Sequence, residues 1–110
     1  MRTTTKAEYL AEGEALFGPD RMAWRFVCPS CGHIATPADW KKAGAPETTV
    51  AFSCVGRWMP ESTATIFEKG KGPCNYAGGG LFKLNPVTVM DGDKEHQVFD
   101  FDRPASMAAA

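Results

Sequence analysis

Apolar and polar positions change period several times along this chain, and each change marks an element. Over residues 5 to 17, Leu10, Leu16 and Phe17 recur at helical spacing. Thr5 lies three residues before Glu8, the reciprocal pattern of a capping box, so a helix is predicted over 5–17. Gly18-Pro19-Asp20 stops it. From Met22 to Cys28, "MAWRFVC" alternates with aromatics in the manner of a strand. Thr36-Pro37-Ala38-Asp39 sets a cap, a first-turn proline and an acid at the start of a second, short helix that Gly44 ends. "TTVAFSC", 48–54, is β-branched and aromatic and predicts another strand, and "STATIF", 62–67, a weaker one. "GKGPCNYAGGG", 70–80, reads as loop. The stretch from Pro86 to Phe101 reads as a hairpin turning near Asp91-Gly92.

The expected fold is small α+β. It has a zinc-ribbon-like antiparallel sheet, an N-terminal helix, a short helix after a cysteine turn and a C-terminal hairpin. One domain is expected over 1–104, with "PASMAAA" ending in a disordered tail at 105–110.

Composition narrows the classes. The chain has 110 residues, 44% of them apolar and 11% aromatic, with eight Pro and eleven Gly. That is one globular unit of short elements, with a core small enough that a staple would help it. No run of eighteen apolar residues exists, so no membrane span is expected. The first eighteen residues lack an apolar signal region, which places the chain in a reducing cytoplasm and its cysteines in metal or redox chemistry rather than in disulfides. Residues 1–85 carry ten Lys/Arg against eight Asp/Glu, and residues 86–110 two against five, for a net charge of −1. Such a balance argues against non-specific nucleic-acid binding.

Cysteine spacing carries the chemistry. Cys28-Pro29-Ser30-Cys31 turns two sulfurs toward one centre, and Gly32 supplies the backbone freedom for the return. Cys54 follows after 22 intervening residues and Cys74 after 19 more, each near a glycine. The leading reading is a structural site of Cys28, Cys31, Cys54 and Cys74 holding one Zn²⁺ per chain, which would bring the loaded chain to −3. Three cysteines with His33 or His96 stand second, because imidazole is a common zinc ligand. A thioredoxin-like redox pair ranks third, since that motif belongs in a βαβ unit, and unrelated buried thiols come last. Four thiolates also bind iron.

The remaining features have plain readings. Trp24, Trp40, Trp58, Phe26 and Phe52 form the core that shields the site rather than a stacking platform for bases. Asp91, Asp93 and Glu95 are a solvated turn, lacking the rest of a calcium loop. Gly78-Gly79-Gly80 beside Lys69, Lys71 and Lys83 makes a tight loop that matches no phosphate-binding motif. No nucleophile–base pair stands out, and four thiolates would fill a tetrahedral ion without leaving a position for water.

Together, "WRFVCPSCGH", "FSCVGR" and "GPCNYAGGGLFKLNPV" resemble a small uncharacterised family of zinc-ribbon-like proteins encoded in phage and prophage genomes. The resemblance runs from Trp24 to Val89. It implies a bacterial cytoplasm and a metal site on the four cysteines, and it brings no catalytic residues. The expected function is a metal-stapled binding module, with a protein partner slightly ahead of nucleic acid. Its expected recognition residues are Lys69, Lys71, Lys83 and Arg57. The alternative is a small-molecule or nucleotide binder, or an enzyme, using loop 70–80.

Overall fold

Two small three-stranded sheets share one aromatic core. A computed structural model describes residues 2–59, 73–81 and 83–103. The segment 62–67, Lys69, Lys71 and the tail at 105–110 lie outside the described residues.

The first sheet has the order β1-β4-β5, with β1 at Arg2–Thr5, β4 at Val87–Asp91 and β5 at Lys94–Val98. β4 and β5 form the predicted antiparallel hairpin. Its turn places Gly92 at φ +64°, in the left-handed region, and pairs Asp91 with Lys94. β1 was not predicted. It pairs parallel to β4, Arg2 with Val87 through Thr5 with Met90. The second sheet has the order β3-β2-β6, all antiparallel, with β2 at Phe26–Val27, β3 at Ile34–Ala35 and β6 at Asp100–Phe101.

Both predicted helices form where their caps lie. α1 spans Lys6–Phe17 behind a complete Thr5–Glu8 capping box. α2 spans Pro37–Lys42 behind the Thr36–Asp39 box, and Gly44 follows at φ +83°. Among the described residues no helix is long and apolar enough to cross a membrane.

Two strand assignments change. Residues 22–28 pair only at Phe26–Val27, because the Asp20 side chain accepts the Met22 N–H at 3.1 Å and winds Arg21–Ala23 into a 3-10 turn. Residues 48–54 are not a strand at all. Glu47–Thr49 is a 3-10 turn, and the Thr49 carbonyl accepts from both Phe52 and Ser53, at 3.1 and 3.0 Å. Backbone donors satisfied within the turn have none left for a sheet partner, so the β-branched preference of Thr48, Thr49 and Val50 is overridden.

Phe101 is the hub of the core. It stacks on Tyr9 at 4.6 Å between ring centroids and meets Phe26 at 5.2 Å and Trp24 at 5.9 Å. Phe99 extends the cluster to Trp40 and Tyr76. The buried polar tips of these rings find backbone partners: Tyr76 Oη accepts the Leu84 N–H at 2.8 Å, and the other three donate to carbonyls. Tyr9 Oη donates to Phe99 O at 2.8 Å, Trp24 Nε1 to Gly18 O at 2.8 Å and Trp40 Nε1 to Ser53 O at 2.9 Å. Such bonds avoid the desolvation cost of an unpaired donor. The ends of the fold are tied by charge. Arg2 reaches both Glu12 and Asp100, and Arg103 bonds the same two carboxylates at 2.9 Å each.

Candidate metal centre

The four cysteines converge from three parts of the chain. Cys28 and Cys31 flank the turn between β2 and β3, Cys54 opens a 3-10 turn at Val55–Trp58, and Cys74 lies in the irregular segment before Tyr76. Their Sγ atoms all lie within 4.8 Å of one another. The Cys28–Cys74 and Cys31–Cys54 pairs are each 3.9 Å apart. Tetrahedral Zn–S bonds of about 2.3 Å place sulfurs roughly 3.8 Å apart, so this donor set fits a tetrahedral thiolate-bound ion. All four thiols are free and no more than 2% exposed.

The backbone turns its N–H groups toward these sulfurs. His33 donates to Cys31 Sγ at 3.4 Å, Cys74 to Cys54 Sγ at 3.3 Å and Tyr76 to Cys74 Sγ at 3.4 Å. Donors aimed at sulfur stabilise thiolate charge, which four buried neutral thiols would not need. With thiols alone the cluster cannot ionise fully. Hydrogen bonding from Cys28, then Cys54, drives Cys31 far down, while the contact with Cys31 pushes Cys28 up to about 12 and contacts with Cys28, then Cys31, push Cys54 well above the ordinary thiol range. Buried thiols packed this closely oppose one another's ionisation. A divalent cation removes that conflict by replacing the protons.

Two glycines build the site. Gly32 sits at φ +80°, and its N–H bonds Cys28 O at 2.9 Å to close the turn. A Cβ there would meet open space, so any penalty is purely conformational. Gly32→Val is expected to cost about 1–3 kcal/mol, with Gly32→Asn costing less than either Ala or Val. Chemical denaturation at constant metal content checks the order, and equal stabilities for all three variants would contradict it. Gly56 acts differently. A Cβ at Gly56 would overlap the Cys74 carbonyl oxygen and lie 2.8 Å from the Pro73 carbonyl carbon. The Cys54 segment can approach Cys74 only because residue 56 has no side chain.

The other predicted residues fall elsewhere. His33 is half-buried in a groove beside the site, and His96 stands on exposed β5 opposite Val89, so neither joins the sulfurs. Trp24, Trp40 and Phe26 are in the core, while Trp58 and Phe52 are half-buried. In the glycine loop, Gly78 N–H donates to Ser53 Oγ and Gly80 N–H to Ala77 O, both at 3.0 Å. Two of its three N–H groups thus serve the fold rather than an anion. Lys83 borders an open hollow of about 290 Å³ with Phe52, Gly78, Glu95 and Gln97, a mixed polar lining rather than an apolar pocket. Arg57 is exposed, its guanidinium over the Trp58 ring at 5.5 Å. The groove itself was not anticipated. Its only sequence signal was Trp58-Met59, two large apolar residues just after a cysteine.

Fold and site define a small α+β protein organised around four buried cysteines that can hold a metal ion. The sequence pattern of the VVA0879-like family matches residues 5–102, and the chain belongs to that family. No curated protein and no solved structure matches it.

Proposed function

We propose that this chain is a non-enzymatic binding module, stapled by one Zn²⁺ on Cys28, Cys31, Cys54 and Cys74, that recognises a protein in the bacterial cytoplasm. The observation that carries the reading is the closed set of four buried sulfurs within 4.8 Å. A bound ion would supply cross-linking energy, and four thiolates leave it no vacant position for water or substrate. A phage or prophage origin, and a host or phage protein as the partner, follow from the family resemblance of the cysteine segments. The net charge of −1 favours protein over nucleic acid.

Charged residues on loops held by a rigid anchor are suited to recognition, and Lys69, Lys71, Lys83 and Arg57 are assigned to that role. Tagged protein recovered from infected and lysogenic cells is expected to carry a stoichiometric partner identifiable by mass spectrometry. Changing Lys69, Lys71 and Lys83 together to Glu should reduce its capture at least tenfold with metal content and melting temperature unchanged. Undiminished capture by the triple variant would remove the lysines from the interface. Turnover of a nucleotide or nucleic acid by the loaded protein would overturn the non-enzymatic reading.

A further inference from the structure

We infer that the groove between β3, α2 and the Val55–Trp58 turn docks an extended peptide of a partner protein, one with an apolar residue flanked by acidic ones. The inference rests on the reading of the chain as a metal-stapled protein binder, and it says where the partner sits and what its contacting segment looks like.

The groove encloses about 600 Å³. Its apolar floor and walls are Ile34, Ala43, Val55, Trp58 and Met59. Ile34 is one of the few large apolar side chains left exposed, at 37%. Trp58 is half-buried, presenting one apolar surface of the kind that anchors interfaces.

The backbone of β3 specifies an extended ligand. β3 is an edge of its sheet. Cys28 N–H bonds His33 O at 3.0 Å, and Phe26 lies opposite Ala35 with Val27 opposite Ile34. Hydrogen-bonded and non-bonded pairs alternate along an antiparallel ladder, so Cys28–His33 and Phe26–Ala35 are the bonded pairs. The N–H and C=O of Ile34 therefore point away from β2. No described residue bonds either group. A strand laid along this edge would pair with Ile34 and set an alternate side chain over Trp58 and Met59.

Charge selects among such peptides. Lys42 borders the groove and Arg57 adjoins it through Trp58, and among the described residues neither has an ion-pair partner. The acid in the lining, Asp39, caps α2, its Oδ2 accepting the Thr36 N–H at 2.8 Å. Lys42 and Arg57 outnumber Asp39 among the described residues at the groove, which favours Asp or Glu on the incoming segment, and such complementarity chiefly sets specificity and encounter rate.

The test uses the zinc-loaded 110-residue chain and a displayed library of random twelve-residue peptides. The enriched sequences should carry an aromatic or branched aliphatic residue with Asp or Glu one or two positions away. A selected peptide, synthesised and titrated, should lose at least tenfold in affinity to Trp58→Ala and to the double change Lys42→Glu with Arg57→Glu. Ile34→Pro removes an N–H that the fold does not use, as proline is tolerated on the outer side of an edge strand. It should weaken binding by a similar factor. Slowed hydrogen exchange of the Ile34 amide in the unaltered protein reads the same contact without a mutation. Metal content and melting temperature are followed for every variant, so loss of the zinc staple shows separately from loss of the groove. No enrichment, enrichment of basic peptides, or affinities that all these variants leave within twofold would overturn the assignment. So would a single-stranded oligonucleotide that occupies the groove more tightly than any peptide.

Discussion

Replacing Cys54 with serine should empty the centre of metal and abolish the cooperative thermal transition. Structural zinc on thiolates contributes on the order of 10 kcal/mol at neutral pH, comparable with the entire stability of a small domain. Cys54 Sγ is 3.9 Å from Cys31 Sγ and also accepts the Cys74 N–H at 3.3 Å. Serine shortens the reach, hardens the donor and leaves that N–H without its sulfur, so three thiols remain to hold the ion. Cys28→Ser should behave alike, and a strong chelator should do to the unaltered protein what the substitutions do to the variants. Elemental analysis beside a thermal melt followed by near-ultraviolet circular dichroism measures both effects. Metal-free unaltered protein from a chelator-free preparation that keeps its cooperative transition would end the zinc assignment.

Trp40→Ala is expected to cost about 3–5 kcal/mol, the range for removing a buried indole. The side chain is 1% exposed, meets Phe26 edge-on at 6.4 Å and packs on Phe99 at 6.0 Å. Its Nε1 donates to Ser53 O at 2.9 Å. Alanine thus opens a cavity and strands a carbonyl one residue before Cys54, so weaker retention of a bound metal should accompany the lost stability. Trp40→Phe keeps most of the volume and loses only the hydrogen bond, at about 1 kcal/mol. Denaturant titration of the metal-loaded proteins separates the two, and a loss below about 1 kcal/mol for alanine would show that the site collapses freely around the gap.

What could be read from the sequence was what neighbours decide. Thr5 with Glu8, and Thr36 with Pro37 and Asp39, announce helices because every atom of the cap lies within four residues. The Asp91-Gly92 turn is equally local. Cysteine spacing named the four sulfurs that the fold brings together, since a Cys-x-x-Cys turn aims two soft donors at one centre. What stayed hidden depends on distant partners. Arg2–Thr5 is polar and threonine-rich, and nothing near it shows that Val87–Met90 will lie alongside. Thr48–Cys54 has the side chains of a strand but lies where the chain must coil back to deliver Cys54. Gly56 looked like an incidental neighbour of a cysteine until the Cys74 backbone was seen against it. The groove at Ile34 joins residues from β3, α2 and the turn after Cys54, a surface that exists only after folding.

The parallel pairing of β1 with β4 bears on how the chain is made. Arg2 meets Val87, about 85 positions later, so β1 leaves the ribosome well before the strand it pairs with. At roughly 5–20 residues per second the delay is several seconds. Contacts this distant in sequence also slow folding of the released chain. A waiting edge strand is an aggregation hazard when it is apolar, but Arg-Thr-Thr-Thr is polar on both faces and can remain hydrated until its partner arrives. The threonines that obscured β1 from the hydrophobic pattern are thus suited to its long exposure during synthesis.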